Sequence, residues 1–353
     1  MQAPRVGEIH GALMSLFAWG GLPPIRGGAD TTVATGDAET VKLWAGRLWI
    51  EMPRVIYWGR FMRENDMNAI IEVQRALEGR PGDRLTFTLM RKLTGTGVTG
   101  DGTMEGSEEA MVPYSDTITL DQTRNAIRLA GRLSERRTAW SQRDTAKQLL
   151  RTWMAETIDD DVFTQFDVSP STVLFGGDAT STATIDSGDK VAPQLFDKAV
   201  GKAKKASPKV WPVKVNGRDY FVILVHTDVT YDLRQNGTWQ QSQREASPRD
   251  TQDNPIFSGM LGYHNGCILH EHEKIPIATN WGSGSDQTGA SNFFLGRQAG
   301  LFGWGARAQW WEKDFDYGAK PGFCVGAIWD FTKAVFNAVD HGFIALRTYR
   351  TNL

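Results

Sequence analysis

The chain has 353 residues, 41% of them hydrophobic, enough for one large core or two of ordinary size, which excludes wholesale disorder. Lys and Arg total 39 against 41 Asp and Glu, a near-neutral balance that argues against a dedicated nucleic-acid binder, which carries a basic excess. Cys267 and Cys324 are the two cysteines, too few and too far apart for a disulfide framework or a thiolate zinc site, and no run approaches the ~18 apolar residues of a membrane-spanning helix.

Residues 1 to about 38 mix Gly, Pro and Thr with scattered apolar residues, and Gly20 to Gly28 cannot hold regular structure, so this segment reads as an extended arm. Within it, Ala12 to Trp19 imitates a short signal-peptide core, but Glu8 and His10 interrupt its approach and the basic leader is missing. It reads instead as apolar side chains that dock on a neighbour. Val41, Leu43, Trp44, Leu48 and Trp49 recur at helical spacing until Pro53 stops them, and Met67, Ile70, Ile71, Val73 and Leu77 form a second amphipathic stretch.

A strand-like Leu85–Met90 and a strand-like Asp116–Leu120 flank the glycine-dense Thr94-Gly-Thr-Gly-Val-Thr-Gly-Asp-Gly-Thr-Met-Glu-Gly106. Hairpin loops usually take ~2–5 residues, and longer ones tend to be functional. The tip reads as polar, so burial in its own domain cannot offset the entropy of ordering it, and a neighbouring copy is the simplest support. Gly95, Gly97, Gly100 and Gly102 read as hinges of this loop. Glu105, Glu108 and Glu109, with Arg91 and Lys92, are expected to make inter-subunit contacts, the carboxylates meeting basic groups of the neighbour.

Asn125 to Ala130 alternates as a half-buried strand. Ser134 is placed to cap a helix running to Ile158, some 25 residues and roughly 37 Å long, with Trp140, Leu149, Leu150 and Trp153 on its core face. Asp159-Asp-Asp161 and the Ser/Thr/Gly-rich stretch from Ser169 to Gly188 read as a boundary. Beyond it come a basic helix at Gln194–Lys205, a buried strand at Asp219–Val225, a helix at Val229–Gln243, and strands at Gly266–His272 and Phe343–Tyr349.

Chemical motifs are sparse. Gly95, Gly97 and Gly100 satisfy G-x-G-x-x-G after a strand, which keeps a dinucleotide-dependent oxidoreductase using residues 95–102 as the alternative function. That site needs a helix to open at the third glycine, and Asp101 to Gly106 does not read as one. His264, His270 and His272 cluster without an evident third ligand, so no metal is expected. Trp304, Trp310, Trp311 and Trp329 would suit a secreted carbohydrate-binding module, but tryptophan is more often core or interface. No signature of a nucleophile, zincin, nucleotide or calcium site occurs, and no cofactor and no catalytic residue are expected.

Gly106-Ser-Glu-Glu-Ala-Met-Val-Pro-Tyr-Ser-Asp-Thr-Ile-Thr-Leu-Asp-Gln122 and Gly131-Arg-Leu-Ser-Glu-Arg-Arg-Thr-Ala139 resemble the major capsid proteins typified by N4-like podophages. Val215 to Val225, Asn254 to Gly262 and Asn265 to His272 resemble later blocks of the same family in the same order. The resemblance implies an α+β, HK97-like capsid fold. It places an N-terminal arm at 1–60, an extended loop at 84–116, and a peripheral domain with a long spine helix at 61–83, 117–168 and 331–353. The axial domain would span 169–330. It further implies a virion protein, assembled in the host cytoplasm, whose main partner is itself in pentamers and hexamers. Portal, scaffolding and decoration proteins would be further partners, with scaffolding supplied by another chain. The enclosed double-stranded DNA would be held without sequence-specific binding.

Overall fold

The computed structural model describes residues 56–90, 92–138, 140–215, 217–246 and 261–353. The expected arm and the helical spacing at 41–49 therefore lie outside the described residues, apart from a 3-10 turn at Tyr57–Arg60.

A five-stranded sheet runs in the order β1 (Met62–Glu64), β2 (Ile71–Gln74), β13 (Gly300–Phe315), β14 (Lys320–Lys333), β5 (Asp121–Arg128). β13 and β14 form one long antiparallel hairpin, and β2 pairs with β13 in parallel. Among the described residues, strands β3 (Arg84–Met90) and β4 (Pro113–Thr119) pair only with each other.

A second, eight-stranded sheet takes the order β6 (Val173–Phe175), β17 (Phe343–Tyr349), β12 (Gln287–Leu295), β8 (Arg218–Val225), β10 (Cys267–Glu271), β9 (Gly262–His264). β7 (Val213–Val215) adds to β8, β11 (Ile277–Trp281) adds to β12, and the short β15 (Val335–Phe336) pairs β16 (Val339–Asp340). These pairings depart from the expected division of the chain. Residues 300–333 pair with 71–74 and 121–128 rather than with the segment from 169, and Phe343–Tyr349 joins the eight-stranded sheet.

Strand alternation explains why the eight-stranded sheet reads as unbroken apolar runs. Val222, Leu224, Phe293, Leu295, Phe343 and Ala345 face one core; Phe221, Ile223, Val225, Phe294, Ile344 and Leu346 face the other. A sheet covered on both faces has no polar side to show. The second core is closed by three helices, α3 (Pro193–Lys205), α4 (Thr227–Gln235) and α5 (Gly237–Ala246), which follow α1 (Arg132–Arg137) and α2 (Gln142–Asp167) in the chain. The single helix expected at 229–243 is two, because Asn236 Oδ1 accepts the N–H groups of Thr238 and Trp239 at 3.0 and 3.2 Å and starts a new helix there.

The long helix also departs from its expected bounds. The residues around Ser134 form the short α1, and α2 begins only after Ser141, whose Oγ accepts the Asp144 N–H at 3.3 Å. It then runs through the supposed boundary at 159–161 to Asp167, 26 residues and about 39 Å. Asp159 is buried because its carboxylate accepts the N–H groups of Tyr57 at 2.8 Å and Trp58 at 3.3 Å, fixing the 3-10 turn on the helix. Burial pushes that carboxyl above the usual carboxylate range, and the two donors pull it partly back.

The buried stripe of α2 is Ala146, Leu150, Met154, Ile158 and Val162, each four residues from the last. Leu150 is therefore inside and Trp153 packs beside the core, whereas Leu149, one residue off the stripe, is exposed, and Trp140 precedes the helix altogether. The expected core face is corrected at those two positions. Leu150→Ala should cost ~2–5 kcal/mol, and Leu149→Ala less than ~0.5 kcal/mol, in urea unfolding of the monomeric subunit. Equal losses would contradict this packing.

Asp161, on the same helix, is pushed up to about 6 from 3.8, first by burial and then by the Asp330 carboxylate on β14. The folded chain thus holds a proton that the unfolded chain has released, so stability falls as pH rises from about 4 through 6. Asp161→Asn is expected to stabilise the subunit at pH 7 by about 1 kcal/mol, a figure discounted for partial exposure, and to lose that advantage near pH 4. Thermal unfolding at the two pH values checks the sign.

Candidate assembly interface

The hairpin β3–β4 is rooted in its own subunit. Ile118 is buried against Leu301, Ala334 and Phe336, Leu85 beside it in the hairpin is buried as well, and Asp116 Oδ2 accepts the Val335 N–H at 3.0 Å. The last paired residues are Met90 and Pro113, so residues 91–112 form the loop, and every described residue from 92 to 112 is exposed.

The tip is less polar than expected. Met90, Leu93, Met104 and Met111 are 59, 55, 53 and 75% exposed, with Val98 and Val112 also uncovered. Apart from the adjacent Met111 and Val112, these side chains stand singly in the sequence, with no periodicity to mark them as a surface.

The loop holds its own shape through one carboxylate. Glu109 accepts the Thr94 N–H at 2.7 Å, the Gly95 N–H at 2.6 Å and the Thr94 hydroxyl at 3.0 Å. Glu108 accepts the Gly106 N–H at 2.7 Å. Two of the three expected contact carboxylates are thus engaged within the loop. Glu105 and Lys92 are exposed, and Arg91 lies outside the described residues.

The four expected hinge glycines divide into two kinds. Gly97 and Gly100 have φ of +68° and +65°, which L side chains rarely adopt. Gly95 and Gly102 instead allow close approach: a Cβ would stand 2.8 Å from the Glu109 carboxylate or collide with Val98 Cγ1 at 2.5 Å. After Gly100 the chain turns and returns as β4, and among the described residues no helix follows before Arg132. Residues 95–102 therefore lack the helix N-terminus that would carry a pyrophosphate.

A second surface lies on the five-stranded sheet. One face of β5 and β14 packs Ile127, Phe323 and Val325 on the core beneath α2. The other face carries a groove of about 560 Å³ lined by Arg124, Ala126, Arg128, Trp311, Lys313 and Phe315, among others. Trp311 is 42% exposed. The Arg128 guanidinium and the Lys313 ammonium lie 5.3 and 5.0 Å from the centre of the Phe315 ring. The groove is apolar at its floor and cationic along its sides.

The remaining sequence candidates have structural work. Trp329 stacks on Phe302 at 5.6 Å in the core, and Trp310 stacks on Phe323 at 5.7 Å with its N–H donated to Glu312, so the four tryptophans make no common platform. His272 stacks on Phe163 at 4.7 Å, His270 meets the edge of Phe61, and His264 pairs with Asp197 at 3.2 Å. They do not converge, and no cluster of His, Cys, Asp and Glu among the described residues could hold a metal ion.

Known proteins match the chain over nearly its whole length. A family model described as phage capsid protein matches residues 32–168 and 166–351. The major capsid protein of Pseudomonas phage KPP25 is 24% identical over 360 residues, which is 90% of this chain and 94% of that one. The capsid of Ralstonia phage GP4 superposes with a TM-score of 0.80 at 29% identity, covering 92% of this chain and 99% of that one. The capsid of cyanophage Pam1 gives 0.79 at 24% identity, with 92% and 100% coverage, a likeness of fold.

Proposed function

We infer, because this chain belongs to the phage capsid protein family, that copies of it close into the icosahedral head of a tailed bacteriophage around its double-stranded DNA. It is a major capsid protein on the HK97-like fold, and its work is mechanical. The observation that carries the reading is the loop between Met90 and Pro113, anchored at its root and exposed at every described residue from 92 to 112.

The loop and the groove are complementary in kind. Exposed Met and Leu side chains suit the Trp311 and Phe315 floor, and the carboxylate of Glu105 suits Arg124, Arg128 and Lys313. We place the loop of one copy on that face of the next. Each such contact is modest, but a copy held by several at once gains in effective concentration, so weak contacts add to a stable shell while single errors still dissociate.

At finer grain, the order of the sequence blocks favours the N4-like branch. We propose rings of five and six copies, assembly in the host cytoplasm, and portal, scaffolding and decoration proteins as further partners. The five-stranded sheet with α2 serves as the peripheral domain, the eight-stranded sheet as the axial domain, and 1–60 as the arm. We assign the chain no catalytic step. Size-exclusion chromatography of the full-length chain at high concentration, followed by electron microscopy, tests the reading. Closed particles of uniform diameter are expected; a monomer under every condition would overturn it.

A further inference from the structure

A near-neutral chain can meet a polyanion only through a local patch, and the second core carries one. On α3 the apolar Leu195, Phe196, Ala199, Val200 and Ala203 are buried, while Lys198, Lys202, Lys204 and Lys205 are exposed on its outer side. The cations cluster at the helix C-terminus, where the helix dipole favours them.

The chain then folds back, the Val210 N–H donating to the Ala203 carbonyl at 3.2 Å, and brings Lys209 and Trp211 beside Lys204. Lys214 and Arg297 complete a pocket of about 400 Å³ whose lining holds four cations against one carboxylate, Asp219. Asp197 nearby is turned to His264 and to Asn265, at 3.2 and 2.8 Å. Among the described residues no carboxylate lies within ion-pair distance of Lys204, Lys209, Lys214 or Arg297. The Arg297 Nε is buried without a hydrogen-bond partner there.

Trp211, 45% exposed, sets the geometry of the pocket. Lys209 Nζ lies 4.5 Å and Arg297 Cζ 5.2 Å from the centre of its ring, and its carbonyl accepts the Arg297 N–H at 2.9 Å. The ring is thus engaged by cations, which disfavours base stacking and leaves charge as the means of recognition.

We propose that this surface, from the outer side of α3 to the pocket at Trp211, seats the phosphodiester backbone of duplex DNA without reading its sequence. Duplex DNA presents one charge per ~1.7 Å of axis, a density that a band of exposed lysines without carboxylate partners among the described residues can meet in many registers. The inference rests on the shell reading for the source of that DNA, and it implies that this face of the eight-stranded sheet is turned to the interior of the head.

The test uses the full-length chain before assembly and a labelled random-sequence 30-base-pair duplex, titrated at several salt concentrations. Replacing Lys204, Lys209 and Lys214 together with Gln should weaken binding at least about tenfold at low salt and flatten the log–log salt slope by about 0.9 per lysine removed. The Arg replacement at the same three positions keeps the charge and should keep both affinity and slope. Unchanged affinity and slope in the Gln variant would overturn the proposal. So would displacement of the duplex by poly-glutamate of equal charge as readily as by unlabelled duplex, which would make the surface a seat for an acidic protein. Electron microscopy of the same samples keeps the two readings apart, since shell formation by the wild-type chain reports on the capsid function whatever the DNA titration gives.

Discussion

Phe166→Ala is expected to destabilise the monomeric subunit by about 3–5 kcal/mol, the range for deleting a buried aromatic side chain. Phe166 is fully buried near the end of α2, and its ring lies 5.0 Å from Phe331, 5.2 Å from Trp58, 5.4 Å from Phe343 and 5.7 Å from Phe293. Those four partners come from β14, the 3-10 turn, β17 and β12, so one ring joins both sheets and the segment leading out of the arm. Packing there is tight enough that Gly300 has no room for a Cβ, which would meet Phe331 at 2.6 Å and Phe166 at 3.2 Å. Neighbours held so closely cannot collapse into the space left by a deleted ring, which places the cost toward the upper end. Phe166→Leu should cost less, because it keeps most of the volume. Urea unfolding measures both, and a loss below about 1 kcal/mol for the Ala variant would show that the sheets are joined elsewhere.

Replacing Leu93, Met104 and Met111 together with Ser should leave the subunit as stable as before and abolish shell formation. All three are more than half exposed, so their removal takes little packing from the folded monomer, and surface changes of this kind fall within about ±0.5 kcal/mol. Against a neighbour, each side chain fully buried contributes about 1.5–3 kcal/mol, and the contact recurs with every copy in the lattice. The expected result is a monomer with wild-type urea unfolding and no closed particles by electron microscopy. Normal particles would show that the loop's apolar side chains do not hold the lattice. A destabilised monomer would show instead that they pack on their own subunit.

How much of this was legible in the sequence depended on how local the signal was. Strands β8 and β17 show as unbroken apolar runs because both faces of their sheet are covered, and the hairpin root shows through its alternation. The break between α1 and α2 was hidden, because Thr138 and Ser141 stand inside an otherwise helical pattern and only the cap formed by Ser141 reveals that the long helix starts there and not at Ser134. Asp159 misled in the other direction. An acidic triplet reads as a loop unless one of its carboxylates has donors 101 and 102 residues away.

β13 and β14 were missed for a related reason. Gly300, Gly303 and Gly305 weaken the strand pattern of β13, and at Gly300 the glycine serves aromatic rings that arrive from distant segments. The glycines and acidic residues of the loop were visible as a group, but the use of Glu109 to close the loop on Thr94 and Gly95 depends on a bend that spacing does not encode. The groove was beyond reach altogether, because it forms only when Arg124 to Arg128 meet Trp311 to Cys324 across the sheet.

The proposed capsid function requires the loop 91–112 to find its cover on an adjacent copy. A cryo-electron microscopy reconstruction of particles formed by the full-length chain tests it most directly, by locating Leu93, Met104 and Met111 relative to the groove at Arg124, Trp311 and Phe315. The loop of each subunit is expected to lie across that face of its neighbour, with the apolar side chains covered. Density that leaves the loop in solvent, or folds it back on its own sheets, would contradict it.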